Sequence, residues 1–208
     1  MKSLLIFLLI AFLPLHDSSW ELKKDKEGIK LYTKHVEGST LKAIRANTTF
    51  HAPLENCIAV LRDIPNLNKL FPDCIKVEKV MQNDKEQIHY LQLKAPWPVT
   101  NRDGAFQLRY SYDSAAQTAI VAASMTTDKY PAQDGFVRLT VGGGTWKFKR
   151  LDAEHTELEY YYHGEPGGGI PSWLANSVVE ENPYKMLLNF HSLVEQERYK
   201  GKKFSFLE

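Results

Sequence analysis

The sequence predicts an α+β domain, a curved antiparallel sheet of about nine strands with one helix early in the chain and a long one near its end. Three observations predict it. Runs rich in β-branched and aromatic residues, each bounded by turn residues, recur from residue 28 to residue 163. Leu54, Cys57, Ile58 and Leu61 recur at helical spacing behind Pro53, and a second helical pattern follows Pro171.

Taken in order, the chain opens with a targeting pattern over residues 1–19: Lys2 is a positive start, 4–13 is an unbroken apolar run, and 14–19 is a polar exit. Export to a periplasmic or secreted location is expected. The run is shorter than the roughly twenty apolar residues a membrane span needs. Residues 20–208 read as a single domain, since 43% hydrophobic and 12% aromatic residues in a 208-residue chain suffice for one core. Strands are expected at 28–35, 41–50, 75–81, 88–94, 104–112, 118–125, 135–141, 145–151 and 156–163, and the first helix at 53–64. In the last helix Trp173, Leu174 and Val178 form one apolar stripe, and Tyr184, Leu187, Leu188, His191 and Val194 form another. Pro183 lies between them and should kink or restart the helix, with Asn182 as the cap of a restart. Arg198 and Lys200 before Gly201 are a stop signal.

Charge narrows the partners. With 26 basic and 25 acidic residues the formal charge is +1, without the basic excess that nucleic-acid binding requires. Two cysteines without paired histidines make no zinc site. Export would permit a Cys57–Cys74 disulfide, but Cys57 falls on the apolar face of the first helix, where a buried free thiol acts as a small hydrophobe.

Two motifs carry more information than composition does. In Pro96-Trp97-Pro98-Val99-Thr100-Asn101-Arg102-Asp103 the prolines fix φ and lack N–H donors, so a strand must end there, with the Trp97 ring covering an opening or filling a gap. In Glu165-Pro166-Gly167-Gly168-Gly169-Ile170-Pro171-Ser172-Trp173-Leu174-Ala175-Asn176 three glycines permit a sharp turn, and Pro171 suits the helix start that follows. In this order, with a helix before the first and another after the second, the motifs resemble the START (StAR-related lipid-transfer) family, in particular its single-domain bacterial type. The family belongs to the helix-grip, or Bet v 1-like, superfamily. The resemblance implies, over about 20–194, a long helix gripped by the concave face of the sheet and a lipid cavity between them. It implies no cofactor and no metal.

Strand periodicity selects the cavity candidates. Alternation puts His89, Leu91 and Leu93 on one face of their strand and Phe106, Leu108 and Tyr110 on one face of theirs. With Trp146 and the inner stripe of the last helix, Leu174, Val178 and Leu188, they would make a mostly apolar pocket. Trp97 and Trp173 belong to the lid or its motifs, while Arg102 and Asp103 orient the turn through ion pairing or capping. His89, polar in an apolar set, needs a partner: a neighbouring side chain, water, or a ligand hydroxyl or headgroup. Family members that bind zwitterionic phospholipid use charged groups and aromatic rings around the headgroup. Here Leu67, Phe71 and Leu91 at the matching positions are apolar, which favours a neutral or sterol-like lipid over phosphatidylcholine.

The resulting expectation is a noncatalytic carrier or sensor of a hydrophobic ligand, with transient membrane contact. The alternative is an enzyme on the same scaffold, a hydrolase or cyclase acting on an apolar substrate. The seven histidines are scattered, and no nucleophile or metal motif is readable.

Overall fold

The computed structural model describes residues 19–208, except for the side chains of Ser172, Ser177 and Val178. The expected targeting segment, apart from Ser19, lies outside the described residues. In chain order the strands are β1 (Glu21–Lys26), β2 (Ile29–His35), β3 (Lys42–Phe50), β4 (Cys74–Gln82), β5 (Glu86–Leu93), β6 (Arg102–Asp113), β7 (Thr118–Thr126), β8 (Val137–Arg138), β9 (Gly142–Arg150) and β10 (Thr156–Gly164). The helices are α1 (Leu54–Arg62), α2 (Leu67–Leu70) and α3 (Ser172–Val194). The described strands form a ten-stranded sheet in the order β1-β2-β3-β10-β9-β7-β6-β5-β4, with β8 beside β6. Every pairing is antiparallel except β6 with β8. A curved sheet with α3 across its concave face is the helix-grip architecture that the sequence predicts.

Two strands differ from expectation. β1 has no apolar alternation to reveal it, being charged at every position but Leu22, and it forms because a two-residue turn folds it onto β2. Glu27 at φ 53° and Gly28 at φ 73° are both left-handed, as a type I′ hairpin requires. Its charges also suit an edge strand, which must not pair with another chain. The strand expected at 135–141 shrinks to Val137–Arg138, because this segment crosses the start of β6 and pairs only with Arg102 and Asp103.

The helix α3 is continuous through Pro183, so the expected restart does not occur. Asn182, instead of capping, donates its side-chain amide to Asp73. The helix ends at Val194, short of the stop signal at 198–201, and buried Asn56 of α1 donates to the Val194 carbonyl at 2.9 Å. That bond satisfies one of the acceptors a helix end leaves open. The C-terminal half of α3 is packed solid: Leu187, Phe190, Leu193 and Val194 are buried, with Phe190 stacked on Phe50 at 4.7 Å and tilted against Trp146 at 5.7 Å. Both cysteines are free thiols; Cys57 is buried in α1, as expected from its apolar face, and Cys74 is partly buried at the start of β4.

Gly144, in the glycine run before Trp146, has a backbone cause. A Cβ on Gly144 would collide with the Tyr161 carbonyl of the neighbouring β10, whereas one on Gly169 would meet nothing within 4 Å. Gly144→Ala should therefore cost about 3 kcal/mol in urea denaturation, and Gly169→Ala less than about 0.5 kcal/mol.

Candidate ligand cavity

A cavity of about 330 Å³ lies between the concave face of the sheet and the N-terminal half of α3. Its walls follow from strand alternation. β5 contributes His89, Leu91 and Leu93, β6 contributes Phe106 and Leu108, and β9 contributes Trp146. From α3 come Leu174, Ala175, Val179, Pro183 and Met186, which share one helix face. Thus His89, Leu91, Phe106, Leu108, Trp146 and Leu174 meet around one space, and the apolar Leu67, Phe71 and Leu91 all line it. Tyr110, on the inner face of β6, lies beyond the cavity against Phe206.

Other expected positions fall elsewhere. Leu188 packs against the edge of the core, because the cavity stops at Met186 and the next helical turn is filled by Leu187 and Phe190. The Val178 side chain lies outside the described residues. Trp97 neither covers an opening nor fills a gap, since it is 92% exposed, and Trp173 is 73% exposed. Their neighbours Pro96 and Leu174 face the cavity instead. Sequence reasoning missed Ala123, Tyr160 and Tyr162 of the sheet and Leu139, Pro166 and Ile170 of the loops. Alternation of Ala119, Val121 and Ala123 could have found the first. Tyr160-Tyr161-Tyr162 offers no polarity contrast to separate the two faces.

Arg102 and Asp103 hold the loops around the cavity. Arg102, buried, donates to the carbonyls of Thr100, Pro166 (3.2 Å) and Gly167 (3.0 Å), and burial pulls its guanidinium below the usual range. Gly167 and Gly168 are both left-handed, at φ 61° and 65°, so this clamped turn needs its glycines. Asp103 points the other way and accepts two bonds from Arg138 at 2.9 and 2.7 Å and one from the Tyr90 hydroxyl at 2.9 Å. Tyr90 in turn stacks on Tyr130 at 3.8 Å.

His89 is a buried imidazole in the wall, which also carries the buried Arg102 and Tyr160. Its ring lies parallel to Phe106 at 6.0 Å, its Nδ1 is 3.5 Å from Gln87 Nε2, and burial pushes its pKa down to about 4. It is therefore a neutral imidazole at pH 7. Among the described residues, no three His, Cys, Asp or Glu side chains converge on a metal position. Ser39, His163 and Glu165 do meet, but both Glu165 and His163 bond the serine hydroxyl, so the carboxylate does not orient the imidazole as a catalytic relay would.

A long helix over a concave antiparallel sheet, with a mostly apolar space between them, defines a helix-grip domain. The START domain profile matches residues 13–196, and the chain belongs to the START domain family. An uncharacterised protein of Pseudomonas aeruginosa is 32% identical over 178 residues, 85% of this chain and 87% of that protein. The phosphatidylcholine transfer protein of Mus musculus is 24% identical over 166 residues, 76% of each chain. Among solved structures, a STAR-related lipid transfer protein of Xanthomonas axonopodis superposes with a TM-score of 0.79 at 38% identity, covering 85% of this chain and 99% of that one. Human StAR-related lipid transfer protein 5 shares the fold, with a TM-score of 0.76 at 14% identity over 88% of this chain and 89% of that one.

The neutral state of His89 sets a pH dependence. An ordinary histidine titrates at 6.5, and His89 titrates at about 4 in the fold, so between these values the unfolded chain binds more protons. Stability should be at its full value above about pH 6.5 and fall by about 3 kcal/mol on approaching pH 4. Urea titrations across that window should show the slope, and His89→Phe should remove most of it. A smaller slope should remain from His191, also held low by burial.

Proposed function

We propose that the chain binds one uncharged, sterol-like or otherwise neutral lipid in the cavity under α3 and serves as its carrier or sensor without converting it. The observation that carries this reading is the cavity itself, walled by Leu91, Phe106, Leu108 and Trp146 and enclosed by α3. Moving an apolar molecule from water into such a space is favourable in proportion to the area buried. The names of the mouse and Xanthomonas relatives, a phosphatidylcholine transfer protein and a lipid transfer protein, support the lipid class in general. The apolar lining at Leu67, Phe71 and Leu91 supports a neutral lipid over phosphatidylcholine, because a charged headgroup against these three side chains would be desolvated; Lys42, Asp73, Lys94 and Arg102 line other parts of the cavity.

Contact with a membrane belongs to the same proposal. Trp97 and Trp173 project into solvent beside cavity-lining Pro96 and Leu174, and indole rings partition to the headgroup region of bilayers. No helix among the described residues is long and apolar enough to cross a membrane. The targeting pattern at 1–19 supports work outside the cytoplasm.

Native mass spectrometry of the purified protein, with extraction of whatever copurifies, tests the reading. A stoichiometric neutral lipid supports it; a protein that is empty and ignores sterols, fatty acids and phospholipids overturns it. Ala123→Phe, which fills the cavity from its wall, should lower lipid occupancy at least about tenfold in the same assay with an unchanged circular dichroism spectrum. The pair Trp97→Ala and Trp173→Ala should weaken sedimentation with phosphatidylcholine vesicles about tenfold while leaving that occupancy intact.

A further inference from the structure

The polarity of the one buried imidazole in the cavity wall is set from outside the cavity. Two carbonyls at the end of α1 can only accept hydrogen bonds. Gln82 Nε2 donates to the Arg62 carbonyl at 2.8 Å and also to Gln87 Oε1 at 3.3 Å. Gln87 Nε2 donates to the Leu61 carbonyl at 2.9 Å, and the same nitrogen lies 3.5 Å from His89 Nδ1. This chain leaves no freedom of assignment, because amide nitrogens must face the carbonyls and Nδ1 then faces a donor. Nδ1 is the acceptor. No carboxylate pairs with the ring among the described residues, so the imidazole is neutral and its single N–H resides on Nε2. No group among the described residues accepts from Nε2, although the ring is 2% exposed and lines the cavity. A donor that faces a mostly apolar cavity without an acceptor is costly.

We propose that His89 Nε2–H is a recognition donor, and that the lipid carries an uncharged acceptor oxygen, a hydroxyl or a carbonyl, on the part that sits against β5. Gln87 and Gln82 are positioning residues that hold the ring in the donating tautomer. The parallel Phe106 ring fixes its plane. A hydrocarbon at that point would leave the donor unpaired, and a cation would meet a like-signed N–H dipole. This inference rests on the lipid-binding reading and adds the chemistry by which the site would choose among lipids.

Two matched pairs of probes, delivered from cyclodextrin and measured by native mass spectrometry, test it: cholesterol against 5α-cholestane, and 2-heptadecanone against heptadecane. The members of each pair differ chiefly in the oxygen. A preference of about tenfold for cholesterol assigns the acceptor to a hydroxyl, and the same preference for the ketone assigns it to a carbonyl. Either preference should vanish in His89→Phe. If the protein binds the oxygenated and bare members equally, the lipid-binding reading stands and the recognition donor falls; if it binds none of the four, both fall. Should His89→Phe fail to fold, ring-nitrogen NMR of the ¹⁵N-histidine-labelled wild type decides. Protonated Nε2 with bare Nδ1, and a shift of the Nε2 resonance on adding the preferred probe, supports the proposal; the opposite tautomer overturns it.

Discussion

The enclosure of the cavity depends on one consequence of strand geometry, that adjacent residues face opposite sides of a sheet. At the start of β6 this puts Arg102 inside and Asp103 outside. Arg102 clamps the carbonyls of Pro166 and Gly167, and so fixes the turn from which α3 begins. Asp103 holds Arg138 and Tyr90, and so fixes the loop that runs over the outer face of β5 and β6. The inner contact is made of carbonyl dipoles facing a buried guanidinium, the outer one of a buried ion pair. Losing either partner of such a pair leaves an uncompensated charge, which costs several kcal/mol. Two neighbouring residues therefore position most of the irregular backbone around the cavity, which explains why a strand end in a loop-rich region is so closely specified.

The second constraint is the division of α3 into two halves with different attachments. Beyond Met186 the helix is held by apolar burial against Phe50, Trp146 and Phe148. Before it, the helix borders the cavity and, besides buried Ala175 and Tyr184, is held by polar contacts, Lys42 to Glu180 at 3.5 Å, Lys24 to Glu181 at 2.6 Å, and Asn182 to Asp73. Partly exposed ion pairs contribute little each, about 1 kcal/mol or less. Opening the N-terminal half therefore breaks weak contacts and leaves the packed half undisturbed.

What the sequence made legible follows the same physics. The inward faces of β5 and β6 were readable because His89, Leu91, Phe106 and Leu108 alternate with more polar neighbours. β1 was not, since its charges carry no periodicity and its partner is fixed by a turn. Tyr160 and Tyr162 were hidden in a run of three tyrosines. Leu188 was misplaced because a helix stripe read from sequence does not show which turn meets a cavity and which meets core. The contributions of Leu139, Pro166 and Ile170 arise from loops brought together by Arg102, a convergence that exists only in three dimensions.

These features bear jointly on selectivity. Around Leu67, Phe71, Leu91 and Phe106 the wall is apolar, and burying a charge against such a surface is costly, whereas Lys42, Asp73, Lys94 and Arg102 line other parts of the cavity. Apolar walls alone discriminate weakly among neutral lipids, since each methylene contributes only about 1 kcal/mol. Polar groups discriminate more sharply, because a mismatched ligand leaves the protein's own donor unsatisfied. In this cavity such a group is presented by a histidine kept neutral by burial and held in one tautomer by two glutamines bonded to the end of α1. The choice of oxygen would thus come from one condition, a ring turned toward the cavity in a wall that offers its Nε2–H no acceptor.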